Sequence, residues 1–140
     1  MNNFITLVPN KLTVTKKYIL IFLVFSSFLG FSQTKKELLT QHWKLDKVES
    51  FGQEYDLTEN QQNDYLDFTA DGKFIGTIEG NWVEGNWSAK DEKISISVNK
   101  VLSKTKINWA KVKVLEKDKF ALEYQNGDLI TTILLFVPKK

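Results

Sequence analysis

The sequence predicts an all-β fold: an eight-stranded antiparallel up-and-down meander barrel with a short N-terminal helix. Three observations predict it. Apolar and polar residues alternate with period two in one segment after another, the mark of half-buried antiparallel strands. These segments recur about every 8 to 12 residues, the spacing of a sandwich or barrel. Turn-forming pairs stand between them, chiefly Asp71-Gly72 and Asn126-Gly127, which suit two-residue turns with positive φ at both central positions.

Residues 1–32 are read apart from the fold. Lys11, Lys16 and Lys17 precede an apolar run from Tyr18 to Phe31. A membrane-crossing helix needs about 20 apolar residues. The shorter run fits the h-region of a secretory signal peptide, with Gly30 and Ser32 as the small residues before a cut at Gln33. The expectation is a signal peptide over 1–32 and one domain over 33–140. The product would be periplasmic or secreted, bacterial, and soluble, with no stable membrane anchor after cleavage. An uncleaved anchor is the alternative. The three lysines leave with the signal, which turns a formal net charge of +2 into −1. No basic patch is left to argue for nucleic acid.

The chain has no cysteine. That excludes disulfides, thiolate metal sites, a cysteine nucleophile and a lipid-modified cysteine. It also has no arginine.

The domain opens with Thr34 and Glu37, spaced as a capping box, so a helical turn or two is expected over 35–40. Strands are expected over 42–51, 65–70, 73–79, 83–90, 93–100, 105–116, 119–126 and 128–137. Ile94, Ile96 and Val98 against Ser95, Ser97 and Asn99 give the cleanest alternation. Ala110, Val112 and Val114 claim the inside of their strand and leave Trp109 outside. Gly80-Asn81, Asp91-Glu92 and Lys117-Asp118 are weaker turn signals. The polar stretch 52–64 reads as a long connection with a short helix over 57–62, entered by a second capping box at Asp56 and Glu59. Short links elsewhere make a meander, and closure into a barrel removes its exposed edges.

Trp82 and Trp87 are five apart, so an unbroken strand sends them to opposite faces. The apolar register puts Trp87 inside and Trp82 outside or at the rim. A bulge at Gly85 would put both on one side.

No residue set signals catalysis. His42 is the only histidine and falls on an outward position. Asp64, Asp67 and Asp71 lack the every-second-residue spacing of a calcium loop. Ser88, Ser95 and Ser97 have no nucleophile-elbow context. Glu79 and Glu84 flank the Trp82 turn and read as solvated turn residues. No metal or cofactor is expected.

Four stretches in order carry a family resemblance: "KKELLTQHWKL", "LDFTADGKF", "GNWSAKDEKISI" and "LLFVP". Over residues 35–138 the chain resembles the lipocalin-like domain of exported proteins from Bacteroidetes-type bacteria. The resemblance implies a meander barrel behind a short helix. The first strand reads Gln41-His42-Trp43 where lipocalins have Gly-x-Trp.

Two functions follow as expectations. One is a binding module for a small apolar or amphipathic molecule, lined by Trp87, Phe68, Phe74, Ile96, Phe120 and Tyr124. The other is an envelope structural or protein-interaction domain with a side-chain-filled barrel, meeting a partner through Trp82, Trp109 and the 52–64 loop. An eight-stranded barrel is wide enough for either.

Overall fold

The computed structural model describes residues 33–101 and 106–140. The chain divides into two units, Met1–Ser32 and Gln33–Lys140; the expected signal peptide lies outside the described residues. Among the described residues no helix is long and apolar enough to cross a membrane.

The second unit starts with helix α1 (Lys35–Leu39). Thr34 caps it, its hydroxyl accepting the Glu37 N–H at 3.2 Å. Leu39 is buried, and its carbonyl accepts the Trp43 indole N–H at 3.1 Å. That bond ties the helix to the first strand.

The strands are β1 (His42–Ser50), β2 (Gln53–Tyr55), β3 (Tyr65–Thr69), β4 (Lys73–Ile78), β5 (Asn81–Lys90), β6 (Lys93–Val101), β7 (Ile107–Leu115), β8 (Phe120–Asn126) and β9 (Thr131–Pro138). The ladder runs β6-β5-β4-β3-β1-β9-β8-β7, with every pairing antiparallel. First and last strands pair, so eight strands form a nearly closed barrel. β6 and β7 lie side by side but share no ladder among the described residues. They form its seam.

The expected strands are all present. β2 was not expected: it is a short flap hydrogen-bonded to the far end of β1. The helix expected over 57–62 is instead a 3₁₀ turn, Glu59–Gln61. Thr58, not Asp56, starts it, and the Thr58 N–H donates to the Gln61 side chain at 3.0 Å.

Two turns differ from expectation. Thr69 pairs with Lys73, so Ala70-Asp71-Gly72 is a three-residue loop with Gly72 alone at positive φ, 84°. The Asp71 carboxylate is held by the Thr69 hydroxyl, which favours this longer loop over a type I′ pair. At Asn126 the side-chain oxygen accepts the N–H groups of Asp128 and Ile130 at 3.0 and 3.1 Å. This local bonding overrides the two-residue turn. The positive φ falls on Leu129.

Inward residues interlock into one core: Trp43, Leu45, Val48, Leu66, Phe68, Phe74, Ile78, Val83, Trp87, Phe120, Leu122, Tyr124, Leu134 and Phe136. Alternation is adjusted by bulges. The β5–β6 register slips between Glu84 and Gly85, and the extra residue is in β6, so Val98 and Val101 both reach the core. The β7–β8 register slips between Val112 and Val114. This corrects one expectation: Val114 pairs with outward Ala121, while Leu115, opposite Phe120, takes the inward place.

Candidate functional site

The barrel has two unlike ends. Under α1, aromatic rings fill it. Phe68 stacks on Phe74 at 5.2 Å and meets Trp87 and Phe120 edge-on at 6.2 and 5.6 Å. Phe120 stacks on Phe136 at 5.3 Å and touches Trp43 at 5.4 Å. These offset and edge-on contacts are the favourable geometries for rings. Four of the six residues expected to line a ligand, Phe68, Phe74, Trp87 and Phe120, are thus buried against one another. The structure brings them together as a packed cluster. Trp87 also donates its indole N–H to the carbonyls of Thr69 and Lys73 at 3.0 and 3.1 Å, which closes the β3–β4 turn.

Trp82 faces outward and donates to Glu84 Oε1 at 2.8 Å. Trp87 is therefore a core anchor and Trp82 an outer ring, without a strand break in β5. Gly85 lies between them under the Phe74 ring: a Cβ there would come within 2.5 Å of that ring and 2.1 Å of the Ser97 carbonyl.

Along one side of the barrel, from the α1 end to the other, the interior is apolar but less filled. Along β6 and β7 the inward residues Ile94, Ile96, Val98, Val101, Ile107, Ala110 and Val112 are only half-buried. On β3, β4 and β8 the inward apolar residues are buried. The expected lining residue Ile96 stands on this half-open wall.

A polar group sits at the end away from α1. Tyr124, on β8, donates its hydroxyl to Glu79 Oε1 at 3.3 Å. Burial, and then the Glu79 charge, push the Tyr124 hydroxyl above its ordinary value, so it stays a donor. Glu79 is placed by the β4–β5 turn, where Glu79 and Gly80 have φ of 53° and 75°. Buried Asp64 holds that turn: it accepts the Glu79 N–H at 2.6 Å, the Gly80 N–H at 2.9 Å and the Thr77 hydroxyl at 2.9 Å. Burial pushes the Asp64 carboxyl up, against the pull of those donors. Glu79 and Glu84 have separate partners and do not work as a pair.

The sequence pointed to Tyr124 but not to Glu79 as its partner. The two are 45 residues apart, and only the barrel's curvature joins them.

Outside the barrel, His42 is paired with Asp67 and stacked on Tyr65 at 5.0 Å. They border a cleft of about 1040 Å³ with Lys44, Asp118 and Lys139. Trp109 is 37% exposed, with Lys111 Nζ 5.2 Å above its ring. Among the described residues no group of three His, Asp or Glu side chains is placed to hold a metal ion.

No family model matches the chain. No curated protein matches it either. Among solved structures, the NMR structure of a protein from Burkholderia xenovorans is similar, with 15% identity and a TM-score of 0.43. The alignment covers 76% of this chain and 86% of that one.

Proposed function

We propose that this domain is a lipocalin-like binding module, working outside the cytoplasm, that takes one small molecule with an apolar body and a hydrogen-bond-donating head. It does no catalysis in this reading. The carrying observation is the half-open apolar wall of β6 and β7 beside an unladdered seam, in a barrel whose inward apolar residues on β3, β4 and β8 are buried. Apolar surface left accessible in a concave place, near a few fixed polar groups, is the usual composition of a ligand site. The apolar body would lie on Ile96, Val98 and Val112, and the aromatic cluster would be its floor. Exposed Glu79 would accept from the head, while Tyr124 keeps its carboxylate in place. That chemistry favours an amine or alcohol over a carboxylate of equal length.

The test is displacement of 1-anilinonaphthalene-8-sulfonate by dodecylamine, dodecanol and dodecanoate. The amine and alcohol should displace the dye at lower concentration than the acid. Ile96→Asp and Val112→Asp should each weaken binding about tenfold or more, since a charge on the wall resists burial. Glu79→Gln should narrow the gap between amine and acid. No displacement by any of the three would sink the reading.

A second reading, a filled scaffold with a protein partner, is favoured by exposed Trp109 with Lys111 over it. Loss of a co-purifying protein on Trp109→Ser, with dye displacement absent, would select it.

A further inference from the structure

Two hairpin tips spend bulky apolar residues where the fold gains nothing from them. At the β1–β2 turn, Phe51 has a φ of 51° and is 86% exposed. At the β8–β9 turn, Leu129 has a φ of 64° and is 70% exposed, and Ile130 beside it is also exposed. Left-handed backbone is disfavoured for such residues, and Gly or Asn normally takes these places. The tips are neighbours. Ser50 and Thr132, which bound them, are paired across β1 and β9, and both tips line one cleft of about 430 Å³. Strained backbone and exposed apolar side chains at adjoining tips point to a surface that is used.

We infer that Phe51, Leu129 and Ile130 insert together into the surface of an electrically neutral lipid bilayer. The area argues for lipid over protein. Three such side chains offer on the order of 300 Å², against about 800 Å² per partner in a stable protein interface. Two projecting tips need no shape match in a fluid phase. The charge argues for neutral lipid. Glu49, Glu54 and Asp128 lie within three residues of the tips in sequence, against one lysine beside them in space, Lys106 next to Gly127. The balance at the tips is acidic, so an anionic surface is disfavoured there. The tips share the barrel end that carries Tyr124 and Glu79, because the β1–β2, β4–β5 and β8–β9 turns all lie there. Docking would bring that end to the bilayer. The inference does not depend on the ligand reading.

The test uses residues 33–140, a compact unit that holds the nine described strands and the described core. It is sedimented with vesicles of phosphatidylcholine, and with vesicles in which part of that lipid is replaced by phosphatidylglycerol. The unit should partition onto phosphatidylcholine, and less as phosphatidylglycerol rises. The double variant Phe51→Asn, Leu129→Asn should bind about tenfold more weakly or less, with its melting temperature unchanged or higher, because Asn suits both backbones. Ile96→Asp should bind vesicles as the parent does, which separates this inference from the ligand reading. Equal sedimentation of parent and double variant would overturn the inference. So would tighter binding to phosphatidylglycerol, or a tip-dependent dimer with no vesicle binding.

Discussion

Tyr124 reaches across the barrel to Glu79, its hydroxyl 3.3 Å from the carboxylate, though β8 and the β4–β5 turn share no ladder. The contact depends on where the turn holds Glu79. The turn in turn depends on Asp64, which takes the N–H groups of Glu79 and Gly80 on its two oxygens.

Asp64→Asn tests that chain of support. The amide can keep one oxygen toward Thr77 and Gly80, but its NH₂ then faces the Glu79 N–H, donor against donor. Leaving a buried N–H unpaired costs about 1–3 kcal/mol. Denaturant melts should show a loss in that range, and the Tyr124 environment should change in near-ultraviolet circular dichroism. A variant as stable as the parent would show that the turn holds without Asp64.

Gly85→Ala should be among the most damaging single changes. The added methyl would come within 2.5 Å of the Phe74 ring and 2.1 Å of the Ser97 carbonyl. The ring is locked between Phe68 and the strand, so the ladder must shift. Overpacking of this kind costs about 1–3 kcal/mol or more. A melt unchanged from the parent would mean that the ring tilts away and the β5–β6 ladder gives way at Ser97 without cost.

Strand positions were legible because one face of each strand is buried, and burial leaves its mark at every second residue. Val98 and Val101 show where that stops. They are three apart, yet both face inward, because a bulge at Asn99-Lys100 absorbs the odd residue. A bulge has no hydrophobic signature of its own, and the same blindness misassigned Val114. Asn126-Gly127 failed because an Asn side chain can bond its own turn as well as adopt positive φ. The six expected ligand-lining residues share an inward direction, yet alternation tells only which way a ring points. It cannot tell that Phe68, Phe74, Trp87 and Phe120 meet one another, or that Ile96 stands at a seam. Phe51 was invisible because nothing in Ser-Phe-Gly-Gln advertises a hairpin except the glycine.

Glu123 should govern part of the acid sensitivity. It lies on the outer face beneath Lys111 and Lys113, at 3.1 and 2.9 Å. The Lys113 hydrogen bond, with Lys111 beside it, holds its carboxyl below the ordinary value of 4.5. A lowered folded value means that the folded state binds this proton less readily than the unfolded one. The stabilisation is therefore complete above the ordinary value and is lost as pH falls through the folded value. Glu123→Gln should be less stable than the parent at neutral pH, and the two should converge in acid. Asp64, whose carboxyl is raised, has the opposite sign: its ionised form is the less favoured one in the fold. A Glu123→Gln difference that persists unchanged in strong acid would refute the charge account.

Trp87 and Trp82 should separate cleanly. Trp87 is 5% exposed, bonded to two carbonyls and packed on Phe68. Trp87→Ala should cost about 3–5 kcal/mol, the range for deleting a buried large aromatic. Trp82 lies on the outer face with its N–H on Glu84, and Trp82→Ala should cost about 1 kcal/mol or less. Equal losses would contradict the placement of the two rings on opposite faces.

Phe51→Asn should stabilise the domain, which is unusual for deleting an aromatic ring. Phe51 and Gly52 are the two central residues of the β1–β2 turn, at φ of 51° and 76°. Ser50 pairs with Gln53 across it, so it is a two-residue hairpin of the kind that Asn-Gly fits best. An L-residue in this region carries a steric penalty of about 1–2 kcal/mol, from which Asn is largely relieved. The ring returns little against that cost, since it is 86% exposed. The expected gain is up to about 1 kcal/mol, read as a higher denaturant midpoint with an unchanged slope. Phe51→Ala should gain nothing, because alanine relieves no backbone strain. If Phe51→Asn instead lowers the midpoint, the ring packs on the domain in solution, and its exposure at the tip no longer marks a surface kept for another use.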